Sequence, residues 1–183
     1  MIHYFQKKYR NTYLCMGVSL VDFKNYIEDV QDFPIEGITY RDIQPLLEDS
    51  QAFYDSIYKL GQFVNMEDVD YFVGIESRGF IFASALSSIN LKPFKMIRKS
   101  GKLPDRNHVL QQLEYDLEYG SATIEMKPGK GKVVLVDDVY ATGGTMDAAE
   151  QLCMMSGYEV ISKLCLVDIG IKKIHDVKCL IKY

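Results

Sequence analysis

Residues 133–145 read VVLVDDVYATGGT, and this stretch leaves the chain little choice of fold. Val133 to Val136 is a continuous apolar run, the pattern of a strand buried on both faces, so other layers must cover it from above and below. Asp137 and Asp138 follow where that strand surfaces. Neighbours on an extended chain point to opposite sides, so the two carboxylates are expected to do different jobs. Ala141 to Thr145 is small and turn-forming, and the helix expected from Thr145 to about Met155 aims its first N–H groups and positive dipole end back into the loop. Gly143 and Gly144 let the backbone curl without a Cβ in the way, and the Thr142 and Thr145 hydroxyls can donate further hydrogen bonds. Such a loop suits a phosphate, while the aspartates suit hydroxyl groups. A ribose 5-phosphate satisfies both. The alternative, a plain Gly-Gly turn with aspartates capping the helix, leaves the two flanking threonines and the buried strand without a purpose.

The rest of the chain supplies the layers. Leu20, Phe23, Ile27 and Val30 recur at three- and four-residue spacing and predict a short helix over 18–30, ended by Pro34 and Gly37 in DFPIEG. A second helix is predicted from Ala52 to Phe63, with Phe53, Ile57, Leu60 and Phe63 on one stripe. Tyr71 to Ile75 is a short apolar run, followed by Glu76-Ser77-Arg78-Gly79 and a small-residue-rich helix from Phe80 to Ser88. Strands are then predicted at Phe94–Ile97, Ala122–Met126, Val133–Val136 and Val160–Val167, the last closing the pattern. Strands alternating with helices predict an α/β fold, a mostly parallel twisted sheet flanked by helices, with ligands beyond the carboxyl ends of the strands. The polar clusters at 76–78 and 137–145 both fall at such ends. Residues 100–120 have only weak periodicity and are longer than a compact domain usually tolerates without a purpose, so they are read as a lid, with a β-excursion as the alternative. There is no internal repeat.

Composition narrows the class. With 183 residues, 48% hydrophobic and 25% charged, residues 18–183 are expected to form a single domain, and residues 1–17 are set apart as an extension because patterning begins only after Met16. The four cysteines (Cys15, Cys153, Cys165, Cys179) form no C-x-x-C pair and share no metal-ligand spacing with the three histidines, which fits inert thiols in a reducing compartment. No apolar run reaches the ~18 residues that span a bilayer, and the start lacks the apolar core of a signal peptide, so a soluble, cytoplasmic protein is expected. A net charge of -4 gives no global attraction to nucleic acid or to an anionic membrane, and local groups must hold any anion. GKGKVV at 129–134 precedes a strand and has no Ser or Thr after its lysine, so it is no P-loop, and no G-x-G-x-x-G follows a strand.

With these residues in place, VVLVDDVYATGGT resembles the phosphoribosyl pyrophosphate (PRPP) motif of the type I phosphoribosyltransferases. Four further stretches, DFPIEGITYRDI (32–43), GIESRGF (74–80), IRKSGKLP (97–104) and LEYG (117–120), resemble the adenine phosphoribosyltransferase branch in the same order. The resemblance implies the type I fold with a small hood segment and a flexible lid over about 99–120. It also implies transfer of the 5-phosphoribosyl group from PRPP to adenine, giving AMP and pyrophosphate with Mg2+, in a cytoplasmic homodimer that binds neither nucleic acid nor membrane. Residue by residue, Ala141, Thr142, Gly143, Gly144 and Thr145 would cradle the 5-phosphate. Asp137 and Asp138 would take the ribose hydroxyls and organise the magnesium shell through water. Glu76, Ser77, Arg78, Arg98, Lys99 and Lys102 would meet the pyrophosphate, Arg78 and Lys102 among them as catalytic groups. Glu118 would give acid/base assistance at the purine and Tyr119 would shield the site as part of the lid. Phe33, Thr39, Arg41 and Val139 would form the adenine pocket, with backbone groups near Thr39 and Arg41 reading the purine edge. Two positions depart from the family, Tyr40 in place of a phenylalanine and Tyr140 in place of an aliphatic residue. Tyr140 could add a hydrogen bond near the ribose. The competing functions are a phosphoribosyltransferase for another purine such as hypoxanthine, and a non-catalytic PRPP-sensing regulator. The regulator is disfavoured because Arg98, Lys102 and Glu118 are all present and residues 1–30 are too short for a winged-helix domain.

Overall fold

The computed structural model of the chain describes residues 21–104, 110–117, 120–171 and 176–183. Its main sheet has seven strands in the order β5-β6-β4-β3-β7-β8-β9, where β3 is Tyr71–Ile75, β4 Phe94–Lys99, β5 Gln111–Leu117, β6 Gly120–Met126, β7 Gly131–Tyr140, β8 Tyr158–Asp168 and β9 Val177–Lys182. From β4 to β9 every pairing is parallel, and β6 and β5 add an antiparallel edge. A separate two-stranded ribbon pairs β1 (Glu28–Val30) with β2 (Tyr40–Asp42). Helices α1 (Gln44–Glu48), α2 (Ser50–Gly61), α3 (Gly79–Asn90) and α4 (Gly144–Met155) complete the described elements. None of them is long and apolar enough to cross a membrane.

The apolar run in β7 decides the layering. Val134 and Val136 pack with Phe72, Phe82, Leu86, Ile57 and Leu60 on the face covered by α2 and α3. Val133 and Leu135 pack with Val73, Ile75, Met146, Ala149 and Leu152 on the face covered by α4. Alternate side chains of one strand thus feed two cores, which is why the run cannot contain a polar residue. Cys153, Cys165 and Cys179 are free and buried, while Cys15 lies outside the described residues.

Two expectations need correcting, and the β-excursion weighed for residues 100–120 is seen over part of that segment. The helix predicted over 18–30 is absent from its described part, where a single 3-10 turn (Phe23–Tyr26), started by Asp22 accepting from the Lys24 amide, leads directly into β1. The three-residue spacing was that of one tight turn anchored by buried Phe23, and the β-branched residues after it extend because β2 offers their backbone a partner. The second half of the long polar segment is β5, paired residue for residue with β6 from Gln111↔Met126 to Leu117↔Gly120. Its Leu113 and Tyr115 alternate onto the core, a period-2 signal too short to stand out among seven residues. Finally, β8 does not close the sheet: β9 lies beyond it, with Cys165 opposite Cys179.

Candidate active site

The carboxyl ends of β3, β4 and β7 meet at one edge of the sheet, and the site is built from what emerges there. β7 continues beyond the predicted Val136, through both aspartates to Tyr140. Asp138 is buried and its Oδ2 lies 2.8 Å from Arg78 Nε, an ion pair not aligned as a hydrogen bond. Asp137 turns back on its neighbour, its Oδ1 accepting the Asp138 amide at 3.0 Å. The two carboxylates thus have different partners, as expected, but do not face fully apart: burial first, and then the charge of Asp138, push the Asp137 carboxyl well above its usual range. Burial also raises Asp138, against the pull of the Arg78 guanidinium. A pair that resists carrying two negative charges is suited to hydroxyl donors or a cation. Among the described residues no group of three or more acidic, histidine or cysteine side chains could cage a metal. The two aspartates are oxygen donors of the kind that a hydrated Mg2+ accepts.

Arg78 is placed by the turn between β3 and α3. The Glu76–Ser77 peptide there is cis, and Gly79 opens α3 with its Cα hard against β7. A Cβ on Gly79 would stand 2.6 Å from the Val136 carbonyl and 2.9 Å from Asp137 Oδ1, so only glycine lets α3 begin this close to the aspartates. Besides Asp138, the guanidinium has a second support, since Arg78 Nη1 donates to the Tyr40 hydroxyl at 2.8 Å. Tyr40 stands on β2 and meets the ring of Phe33 edge-on at 5.2 Å. A chain of contacts therefore runs from Phe33 through Tyr40 and Arg78 to Asp138, joining the ribbon to the sheet. The sequence marks Tyr40 only as a departure from the family motif and gives it no role. The signal was the hydroxyl that distinguishes it from the phenylalanine of the family motif.

Glu76 organises the other side. Its Oε2 accepts from Arg98 Nε at 3.0 Å and from the Lys99 amide at 2.8 Å, and these bonds, Arg98 first, hold the carboxyl below its ordinary value despite burial. Arg98 thus spends one N–H on Glu76 and keeps its terminal nitrogens. Ser77, Lys99 and Lys102 are exposed. In the ribbon, Phe33 is 51% exposed, Thr39 Oγ1 donates to Gln31 Oε1, and the Arg41 guanidinium pairs with Asp29 and lies 4.0 Å over the Tyr183 ring. The Arg41 side chain is therefore engaged by Asp29 and Tyr183, and its backbone lies opposite Asp29 in the ribbon. Val139 is half-buried against the α2–α3 core. Glu118 and Tyr119 lie outside the described residues.

The loop after β7 runs through Ala141 and Thr142 to Gly143, which takes φ +91° at the start of α4 with no side-chain cap. The first amides of a helix lack intrahelical partners, which makes this end receptive to an anion. Tyr140 does not reach toward a ribose. It is buried, and its hydroxyl fills the place where a Cβ of Gly143 would stand. Burial, and then the charge of Asp147, push the phenol up to about 12, so it stays neutral beneath the loop.

Comparison with known proteins now bears directly on this geometry. Residues 46–183 match the phosphoribosyl transferase domain family. The chain is 51% identical over 146 residues to adenine phosphoribosyltransferase of Hydrogenovibrio crunogenus, covering 79% of this chain and 83% of that protein. Crystal structures of adenine phosphoribosyltransferase from Thermoanaerobacter pseudethanolicus (34% identity, TM-score 0.79, 88% of this chain and 98% of that one) and from Giardia lamblia complexed with 9-deazaadenine (30%, TM-score 0.80, 88% and 96%) have the same fold. This chain belongs to the adenine phosphoribosyltransferase family.

Two substitutions test the site. Tyr40→Phe removes one hydrogen bond from a partly exposed guanidinium, about 1 kcal/mol, and is expected to lower kcat/KM for AMP formation roughly fivefold while leaving thermal stability nearly unchanged. Gly143→Ala combines a left-handed backbone position, costing about 1–2 kcal/mol, with overlap on Tyr140. It should raise KM for PRPP by about tenfold or more and leave KM for adenine near wild type. Equal effects on the two substrates would show that the loop does not hold the phosphate.

Proposed function

We propose that this chain transfers the 5-phosphoribosyl group of PRPP to N9 of adenine, releasing pyrophosphate and forming AMP in purine salvage. The observation that carries the reading is Arg78, held by Asp138 on one side and by Tyr40 on the other. A guanidinium fixed at the end of a parallel sheet, beside two acids and a phosphate-type loop, suits a sugar that bears phosphate at one end and a leaving diphosphate at the other. The names of the relatives fit it.

In this reading the 5-phosphate lies on the amides and hydroxyls of residues 141–145. Asp137 and Asp138 accept the ribose hydroxyls, donors that desolvated carboxylates lack water to replace. When bound, Mg2+ would neutralise oxygens of the diphosphate, held through water by Asp137 and Asp138. Arg78, the backbone of Glu76 and Ser77, and Arg98, Lys99 and Lys102 gather the remaining negative charge. As the bond from the anomeric carbon to the diphosphate oxygen breaks, positive charge develops on the ribose and the electron pair leaves with pyrophosphate. Adenine N9 attacks from the opposite face and its proton is lost, with Glu118 as the acid/base group and Tyr119 shielding the site. Phe33 and Val139 hold the purine, and backbone groups near Thr39 and Arg41 read its edge. A main-chain carbonyl accepts from a 6-amino group, whereas a 6-oxo purine requires a donor. The catalytic unit spans residues 18–183, works as a homodimer in the cytoplasm and needs no nucleic acid or membrane. These last features rest on the family.

The test is to supply PRPP, Mg2+ and single purines while following pyrophosphate release. Adenine should support turnover at least about a hundredfold better than hypoxanthine, a ratio within reach of a site that hydrogen-bonds the 6-amino group. Glu118→Gln should lower kcat by roughly 10²–10⁴ with KM for PRPP little changed. Absence of release with adenine sinks the reading.

A further inference from the structure

Glu125 is a glutamate near the end of β6, only 1% exposed, between two residues that face the core, Ile124 and Met126. Both of its oxygens are fully used. Oε1 accepts from the amides of Lys102 at 2.8 Å and Leu103 at 2.7 Å, and Oε2 accepts from the Gly101 amide and from Gln112 Nε2, each at 3.1 Å. Burial opposes the charge, yet these four donors outweigh it and hold the carboxyl below its ordinary value. A buried anion is an expensive way to close an exposed turn. Where an acid and a lysine lie close together, the acid usually takes the ammonium. Here it takes the lysine's backbone amide instead and leaves the side chain exposed.

The stretch is fixed at its other end as well. Glu76 holds the Lys99 amide and Arg98, and Glu125 stands directly opposite Arg98 in the β4–β6 register. Two carboxylates thus hold the backbone amides of Lys99, Gly101, Lys102 and Leu103, while the Lys99 and Lys102 side chains are exposed.

We propose that Glu125 is a positioning residue that fixes the backbone of Gly101–Leu103 and so presents the Lys102 ammonium to the diphosphate of PRPP. The inference rests on the reading of Lys102 given above. Glu125 acts through the peptide rather than on the substrate. An amide at this position would set its NH2 group against one or two of the backbone N–H donors, donor against donor, and release part of the turn.

The experiment compares Glu125→Gln, Lys102→Ala and the double variant in magnesium buffer, measuring binding of inorganic pyrophosphate and of AMP by calorimetry together with KM for PRPP and for adenine. Glu125→Gln is expected to weaken pyrophosphate binding and raise KM for PRPP by about tenfold, leave AMP affinity and KM for adenine within about twofold, and add less than about twofold on top of Lys102→Ala. Equal losses of AMP and pyrophosphate, or additive losses in the double variant, would overturn the inference, because a purely structural defect behaves in that way. If Lys102→Ala weakens pyrophosphate and Glu125→Gln does not, the positioning role fails while the role of Lys102 stands. If Lys102→Ala itself has no effect on pyrophosphate, both fail. Should Glu125→Gln not fold, Gln112→Leu at an exposed side chain removes one of the four donors. A selective loss of about threefold for pyrophosphate supports the proposal, and no loss overturns it.

Discussion

The contact between Arg78 and Asp138 is the constraint around which the site is arranged. Burying Asp138 at the end of a strand is unfavourable unless a cation stands beside it, and a guanidinium can do so only if α3 starts against β7. That closeness requires glycine at 79, and it requires the turn at 76–78 to deliver Arg78 across the gap between β3 and β7. Once Arg78 is placed, its Nη1 reaches the ribbon and donates to the Tyr40 hydroxyl. A single ion pair thereby couples a buried strand end, a helix start and the ribbon that carries the proposed purine pocket.

Electrostatics around this pair are graded. Glu76 and Glu125, each surrounded by N–H donors, stay ionised below the ordinary carboxylate range. Asp137 and Asp138, desolvated and close to one another, are pushed the other way. The first two acids are satisfied within the protein and serve as anchors. The second two are not, despite Arg78, and are therefore the carboxylates that gain from a ligand bearing hydroxyls and a cation. Four acids near one sheet edge thus divide into structural and ligand-seeking groups according to what their oxygens already hold.

Much of this was legible in the sequence, and the parts that were not share a cause. The buried run at 133–136, the small-residue loop after the two aspartates and the polar turn before Phe80 each carry a local pattern, and local patterns survive without coordinates. The ribbon did not announce itself, because Glu28–Val30 becomes a strand only through its pairing with Tyr40–Asp42, and that partner is separated by a proline-containing loop. The roles of Tyr40, Tyr140 and Glu125 were hidden for the same reason. A hydroxyl aimed at Arg78, a phenol beneath Gly143 and a carboxylate gathering the amides of 101–103 are relations between distant segments. Glu125 was the hardest to find, since a glutamate between Ile124 and Met126 reads as the solvent side of an alternating strand, whereas here that side is covered by the turn it holds.

The two tyrosines that depart from the family pattern show how such changes can be absorbed. Tyr140 at the end of β7 replaces an aliphatic residue by one with a longer reach, and the added hydroxyl is accommodated only because Gly143 has no Cβ. The buried phenol lies directly beneath the loop at Gly143. Tyr40 works in the opposite sense: its hydroxyl adds a polar contact where a phenylalanine would leave Arg78 Nη1 to solvent or ligand. One tyrosine packs beneath the loop proposed to hold the phosphate, and the other restrains the arginine at the opposite end of the proposed sugar site. Both contacts limit the freedom of groups that, in the proposed reading, meet the phosphate and the diphosphate, and less freedom in the unliganded protein means less ordering to be done on binding.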